Sequence, residues 1–160
     1  MRGWFPEVYP LSVSEHIRKR HNKTLLLYHL VCPIKYRKKL LTSSVGKALK
    51  DACLEIQLRY EIQYIEIGSD QDHVHFLIQS VPTLSPTDIV QTTKGLTAKY
   101  ILNLYPEITD ILWGGHFWTS GFYMNTVGQY ANEEVIKRYV QNQGLQYTRI
   151  YRTQLSLFDL

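Results

Sequence analysis

Along residues 24–128 the spacing of apolar side chains switches between the period of a strand and that of a helix, and the order of the switches leaves few folds open. "TLLLYHLVCPI", Thr24 to Ile34, is too continuously apolar for a strand with one wet face; Pro33 weakens its end and the basic turn "KYRKK" follows. From Ser44 the repeat becomes helical, with Val45, Leu49, Cys53, Ile56 and Tyr60 on one side and Thr42, Ser43 or Ser44 as N-cap. "IQYIEIG" and "HVHFLIQS" are short strand-like runs joined by "SDQD", which predicts a hairpin. A second helix is predicted over "SPTDIVQTTKGLTAKYILNLYP", capped by Ser85, with Pro86 at its first position and Asp88 returning the capping bond. Ile89, Thr93, Leu96, Tyr100 and Leu104 form its expected buried side, and Pro106 closes it.

"FWTSGFYMNTVG", Phe117 to Gly128, predicts a fourth strand interrupted near Gly121, and Asn132 can cap a third helix that ends before Gly144. The first six elements then match β-α-β-β-α-β, a ferredoxin-like or RRM-like α+β sandwich, with an additional C-terminal helix. Such a sandwich buries helices against one sheet face and keeps the other for a site or a partner. The 160 residues suit one domain, read as an arm over 1–22, a domain over 23–144 and a tail over 145–160.

Charge and composition narrow the function classes. A formal net charge of +4 and a pI near 9.0 give a weak attraction to polyanions. No apolar run reaches the roughly 20 residues of a membrane span, so no membrane partner is expected. Cys32 and Cys53 form no Cys-x-x-Cys and read as reduced packing residues of a cytosolic protein.

Strand parity gives the chemistry its first candidates. His73, His75, Leu77 and Gln79 face one side, while Val74, Phe76 and Ile78 face the helices. Two imidazoles on one face can approach one ion, but six histidines in the chain make the spacing a weak sign, and two ordinary polar residues remain the other reading. Manganese or magnesium would accept a further side-chain oxygen and waters, manganese matching two imidazoles more readily. Asp72 has the wrong parity unless the hairpin ends just before His73, and a turn role suits it equally. On the third helix Tyr139 and Gln143 are one turn apart, which suits either a nucleophile beside a metal ligand or a half-buried aromatic beside a solvated amide.

Polyanion contacts have two candidate clusters, Arg18, Lys19, Arg20 and Lys23 in the arm and Lys35, Arg37, Lys38 and Lys39 in the turn. The aromatics from Trp113 to Tyr123, Trp118 among them, include candidate stacking platforms for unpaired bases. At strand spacing half of them belong to the core.

Taken in order, "LLLYHLVCPIKYRKKLL", "DQDHVHFLI", "SPTDIVQTTKGLTAKYI", "LWGGHFWTSGFYMNTVG" and "EEVIKRYVQNQ" resemble the single-tyrosine transposases of small bacterial and archaeal insertion sequences, in the histidine-hydrophobic-histidine nuclease superfamily. The resemblance implies Tyr139 as the attacking residue and His73, His75 and Gln143 around Mg2+ or Mn2+. It further implies cleavage and rejoining of single-stranded DNA near short hairpins through a 5′-phosphotyrosine. A homodimer whose subunits share active sites is also implied, in a cytoplasmic protein that joins the nucleoid when bound to DNA. Asp72, His29 in "YHL" and Lys94 in "TTKG" match positions expected to support the site or touch DNA. The chain departs from the pattern at Gln71, where a proline often stands, and in its longer arm. The competing classes are a non-catalytic single-stranded nucleic-acid-binding sandwich and a replication or conjugation nickase.

Overall fold

A computed structural model describes residues 16–128 and 148–152. Two short strands, β1 (Ile17–Lys19) and β2 (Asn22–Thr24), pair as a hairpin at the end of the expected arm. The long apolar run becomes β3 (Leu26–Pro33), followed by a 3-10 turn over Lys35–Arg37. Helix α1 (Ser43–Arg59) opens on Thr42, whose hydroxyl accepts the Val45 N–H at 3.3 Å, so the cap is the first of the three candidates. The predicted hairpin follows as β4 (Gln63–Ser69) and β5 (His73–Ser80). Helix α2 (Pro86–Leu104) carries the full reciprocal cap between Ser85 and Asp88, a short α3 (Glu107–Ile111) follows, and β6 (Tyr123–Val127) and β7 (Thr148–Arg152) complete the described strands.

Five strands form one antiparallel sheet in the order β6-β3-β5-β4-β7. Alternation along β3 and β5 turns Leu30, Cys32, Val74, Phe76 and Ile78 toward α1 and α2, where they join Leu49, Cys53, Ile56, Ile89 and Ile101 in the main core. Each such fully buried side chain stabilises the fold by about 1.5–3 kcal/mol. Leu27, Ile65 and Leu77 form a smaller buried group that excludes these residues. Both cysteines are buried and free, and burial pushes the Cys32 thiol up to about 12. The result is a mixed α+β fold, and among the described residues no helix is long and apolar enough to cross a membrane.

Two expectations need correction. The buried side of α2 is Ile89, Val90, Thr93, Thr97 and Ile101, while Leu104 is exposed. Threonine can hold the centre because its hydroxyl is satisfied: Thr93 meets the Tyr64 hydroxyl at 2.7 Å, and Thr97 donates to the Thr93 carbonyl at 2.6 Å and accepts the Trp118 indole N–H at 3.0 Å. The fourth strand does not begin at Phe117. Phe117 and Trp118 enter the core, and Lys94 Nζ donates to the carbonyls of Thr119 and Gly121, holding that stretch as a loop before β6. The tail has a destination as well: β7 pairs with β4, and Arg149 donates to Glu66 across the pair at 3.2 Å.

Candidate metal and strand-transfer site

The site grows out of sheet register. Across an antiparallel sheet, paired residues project to the same face, and neighbours two positions along remain within reach of long side chains. Asn125 of β6 pairs with His29 of β3, His29 pairs with Leu77 of β5, and His75 is two residues from Leu77. Three adjacent strands therefore bring Asn125, His29 and His75 into one row. The Asn125 Oδ1 to His29 Nδ1 distance is 3.2 Å, and His29 Nε2 to His75 Nδ1 is 3.0 Å.

His73 stands at the first position of β5 with a different support. Its Nδ1 is 2.6 Å from Asp72 Oδ1, and Arg37 donates to the same carboxylate through Nε at 3.1 Å and Nη2 at 3.3 Å. Although desolvation pushes the Asp72 carboxyl up, the hydrogen bonds from His73 and Arg37 and the Arg37 charge hold it below its ordinary value. Asp72 is thus an ionised acceptor, so His73 Nδ1 donates, which leaves Nε2 as the ring nitrogen available to a metal. The turn that carries this group is stitched to the basic turn by two backbone bonds, Ile34 N–H to the Asp72 carbonyl at 2.8 Å and Leu41 N–H to the Gln71 carbonyl at 3.1 Å. Gln71 has φ +56°, which a proline ring cannot adopt, so the departure from the family pattern belongs to the turn's geometry.

The two imidazoles of "HVH" have ring centroids 4.9 Å apart, and an Asp70 carboxylate oxygen lies 3.9 Å from His73 Nε2. Burial lowers His75 to about 3, helped by the nearby His29 and His73; burial likewise lowers His29 to about 4 against the raising effect of its Asn125 bond. Both rings are neutral at neutral pH, the state in which imidazole binds a metal. The imidazoles of His73 and His75 beside a carboxylate are donors of the kind a small divalent cation accepts. Among the described residues no group of three or more His, Cys, Asp or Glu is placed to hold one. Tyr139 and Gln143 lie outside the described residues.

The candidate DNA contacts divide. Arg18, Arg20, Lys23, Lys38 and Lys39 are exposed, whereas Lys19 pairs with the Glu61 carboxylate and Arg37 is committed to Asp72. Lys35 is half-buried over the Tyr36 ring. Lys94 is spent on the loop carbonyls described above. Trp118 is a correction: it is 5% exposed, packs edge-on against Phe117 and Phe76, and donates to Thr97, so its faces are not offered to a base. Among the described residues the exposed aromatics are instead Tyr36, Tyr60, Trp113, Phe122 and Tyr123. Tyr36 and His116 also line an open groove of about 860 Å3 with Lys35 and Lys99.

Sequence reasoning did not find Asn125. Its only signal was a polar residue at strand parity with Tyr123 and Val127, and the β3–β6 register that gives it meaning is not written in either strand alone.

Comparison with known proteins places this geometry. Residues 22–143 match the family model "Transposase IS200 like". The chain is similar to the ISDra2 transposase TnpA of Deinococcus radiodurans, 31% identical over 118 residues that cover 74% of this chain and 84% of the relative. It is 26% identical over 126 residues to the transposase for insertion sequence element IS200 of Salmonella typhimurium, covering 77% and 80% of the two chains. A crystal structure of a Deinococcus radiodurans transposase superposes with a TM-score of 0.64 at 28% identity, over 79% of this chain and 96% of that one. The chain belongs to the IS200-like family of single-tyrosine transposases, whose activity is the nicking and transfer of single-stranded DNA.

Proposed function

We propose that His73, His75 and Gln143 hold Mg2+ or Mn2+ and that Tyr139 is the nucleophile of strand cleavage. The observation that carries the reading is the imidazole pair on the sheet face opposite α1 and α2, each ring with its Nδ1 already engaged. When bound, the cation supplies Lewis-acid stabilisation of charge on the reacting phosphate. The Tyr139 oxygen forms a bond to phosphorus while the bond to the departing 3′-oxygen breaks. The proton lost by the phenol is matched by the one the 3′-hydroxyl gains. One phosphodiester replaces another, so an incoming 3′-hydroxyl reverses the step without ATP.

The substrate reading is single-stranded DNA with hairpins at the ends of an insertion sequence. The exposed Arg18, Arg20, Lys23, Lys38 and Lys39 suit its phosphates. Further proposals are that the sandwich is ferredoxin-like and that residues 23–144 form the catalytic domain, with residues 1–22 as an amino-terminal arm and residues 145–160 as a C-terminal tail. The enzyme acts in the cytoplasm, at the nucleoid when bound to DNA, as a homodimer that pairs His73 and His75 of one subunit with Tyr139 of the other. Mixing the His73→Ala, His75→Ala protein with Tyr139→Phe under subunit exchange should then restore about a quarter of the wild-type sites. No recovery in proven heterodimers would place each site within one chain.

The principal test is a labelled hairpin oligonucleotide incubated with Mn2+ and resolved on a denaturing gel. Label should travel with the wild-type protein and not with Tyr139→Phe. Retention of the adduct in Tyr139→Phe would remove Tyr139 from the mechanism.

A further inference from the structure

We propose that Asn125 and His29 act as a neutral relay that sets the tautomer of His75, with its proton on Nδ1 and its lone pair on Nε2. The relay deepens the metal reading and rests on it for its functional consequence, while its geometry stands independently.

The direction of the relay follows from what each group can do. The Asn125 amide nitrogen donates to the Thr126 carbonyl at 2.9 Å, which turns the amide oxygen toward His29 Nδ1. An amide oxygen only accepts, so His29 carries its proton on Nδ1. A neutral imidazole with that proton has its lone pair on Nε2. That nitrogen faces His75 Nδ1 at 3.0 Å, so the hydrogen between them belongs to His75. The lone pair of His75 is then on Nε2, the nitrogen a metal would take.

The ring geometry agrees. The His29 and His75 planes are within 11° of parallel with centroids 5.3 Å apart. With 3.0 Å between the facing nitrogens, this is an in-line hydrogen bond rather than a face-to-face stack. The Tyr123 ring meets His29 edge-on at 6.3 Å between centroids. Asn125 and His29 are therefore positioning residues that act through His75. Reversing Asn125 would let the proton pattern invert along the row and close the metal-facing nitrogen of His75 with a hydrogen.

Ring nitrogen shifts in the 15N-histidine-labelled, metal-free full chain test this, paired with calorimetric titration of Mn2+. Wild-type His75 should show a protonated Nδ1 and a bare Nε2. Asn125→Leu should convert His75 to a mixture of tautomers, leave the His73 ring signals in place, and weaken Mn2+ binding about 10- to 100-fold. A wild-type His75 protonated on Nε2, or a His75 ring unmoved in folded Asn125→Leu, would overturn the relay. If Asn125→Leu does not fold, the wild-type ring assignment decides alone. The predicted ring signature without any Mn2+ binding would support the relay and remove the metal reading.

Discussion

The two histidines of "HVH" have their Nδ1 atoms engaged by opposite means. His73 leans on an ion pair at the start of β5, Arg37 and Asp72, with the Arg37 side chain 59% exposed. His75 leans on a neutral pair inside the sheet, His29 and Asn125, with His29 9% exposed. A carboxylate fixes a ring by charge and tolerates water around it, whereas a buried row must fix it by donor and acceptor order alone. Charge would be expensive there without a partner. The difference teaches that the end of a strand can take one support from the residue beside it, Asp72, backed by a neighbouring turn, while the other requires three strands in register.

The largest effect expected is loss of the site itself. His73→Ala or His75→Ala should each abolish measurable Mn2+ binding by calorimetry, with single-stranded DNA affinity little changed, because phosphate contacts lie elsewhere. Equal Mn2+ binding in either variant would show that the two rings do not share an ion.

The supports themselves come next. His29→Leu leaves the Asn125 oxygen and the His75 Nδ1–H without their partner, an expected loss of about 1–3 kcal/mol in denaturant unfolding. A loss no larger than that of Arg37→Gln would erase the distinction between the buried and exposed supports.

Acid should separate them too. Folded His29 and His75 take protons only near pH 4 and 3, whereas the unfolded rings take them near 6.5. The unfolded state therefore binds more protons in between, and the metal-free protein should lose stability as pH falls from about 6.5 toward about 4. Asp72 is lowered from 3.8, so its contribution is present above that value and is lost only below it. Denaturant midpoints across pH 3–8 measure both windows, and a flat profile between pH 6.5 and 4 would contradict neutral burial of the pair.

The smallest effect is expected at the exposed ion pair. Arg37→Gln should cost less than about 1 kcal/mol and less still in high salt, since exposed pairs are screened. A loss that salt does not reduce would mean that Arg37 matters through packing rather than charge.

What could be read from the sequence follows the same division. The parity of "HVHFLIQS" put His73 and His75 opposite Val74, Phe76 and Ile78, and the structure has that arrangement because alternation is a local property of a strand. The Ser85–Asp88 cap was equally local. Asn125 escaped because its partner is 96 residues away. Trp118 was misread because its burial depends on Thr97, a polar residue whose place in the core depends on bonds the sequence does not display. The edge strand β7 was missed because its polar residues carry little period, and its pairing is set by β4. Tyr139 and Gln143 lie outside the described residues, so their place beside the histidines rests on the family resemblance.

The central claim is that the two supported imidazoles hold one ion that strand cleavage needs. Its most direct measurement is covalent adduct yield on a labelled hairpin oligonucleotide as Mn2+ is titrated into metal-free protein. The yield should rise in step with calorimetric Mn2+ occupancy and vanish in the His73→Ala, His75→Ala double variant. Full adduct formation in chelator, or in that double variant, would contradict it.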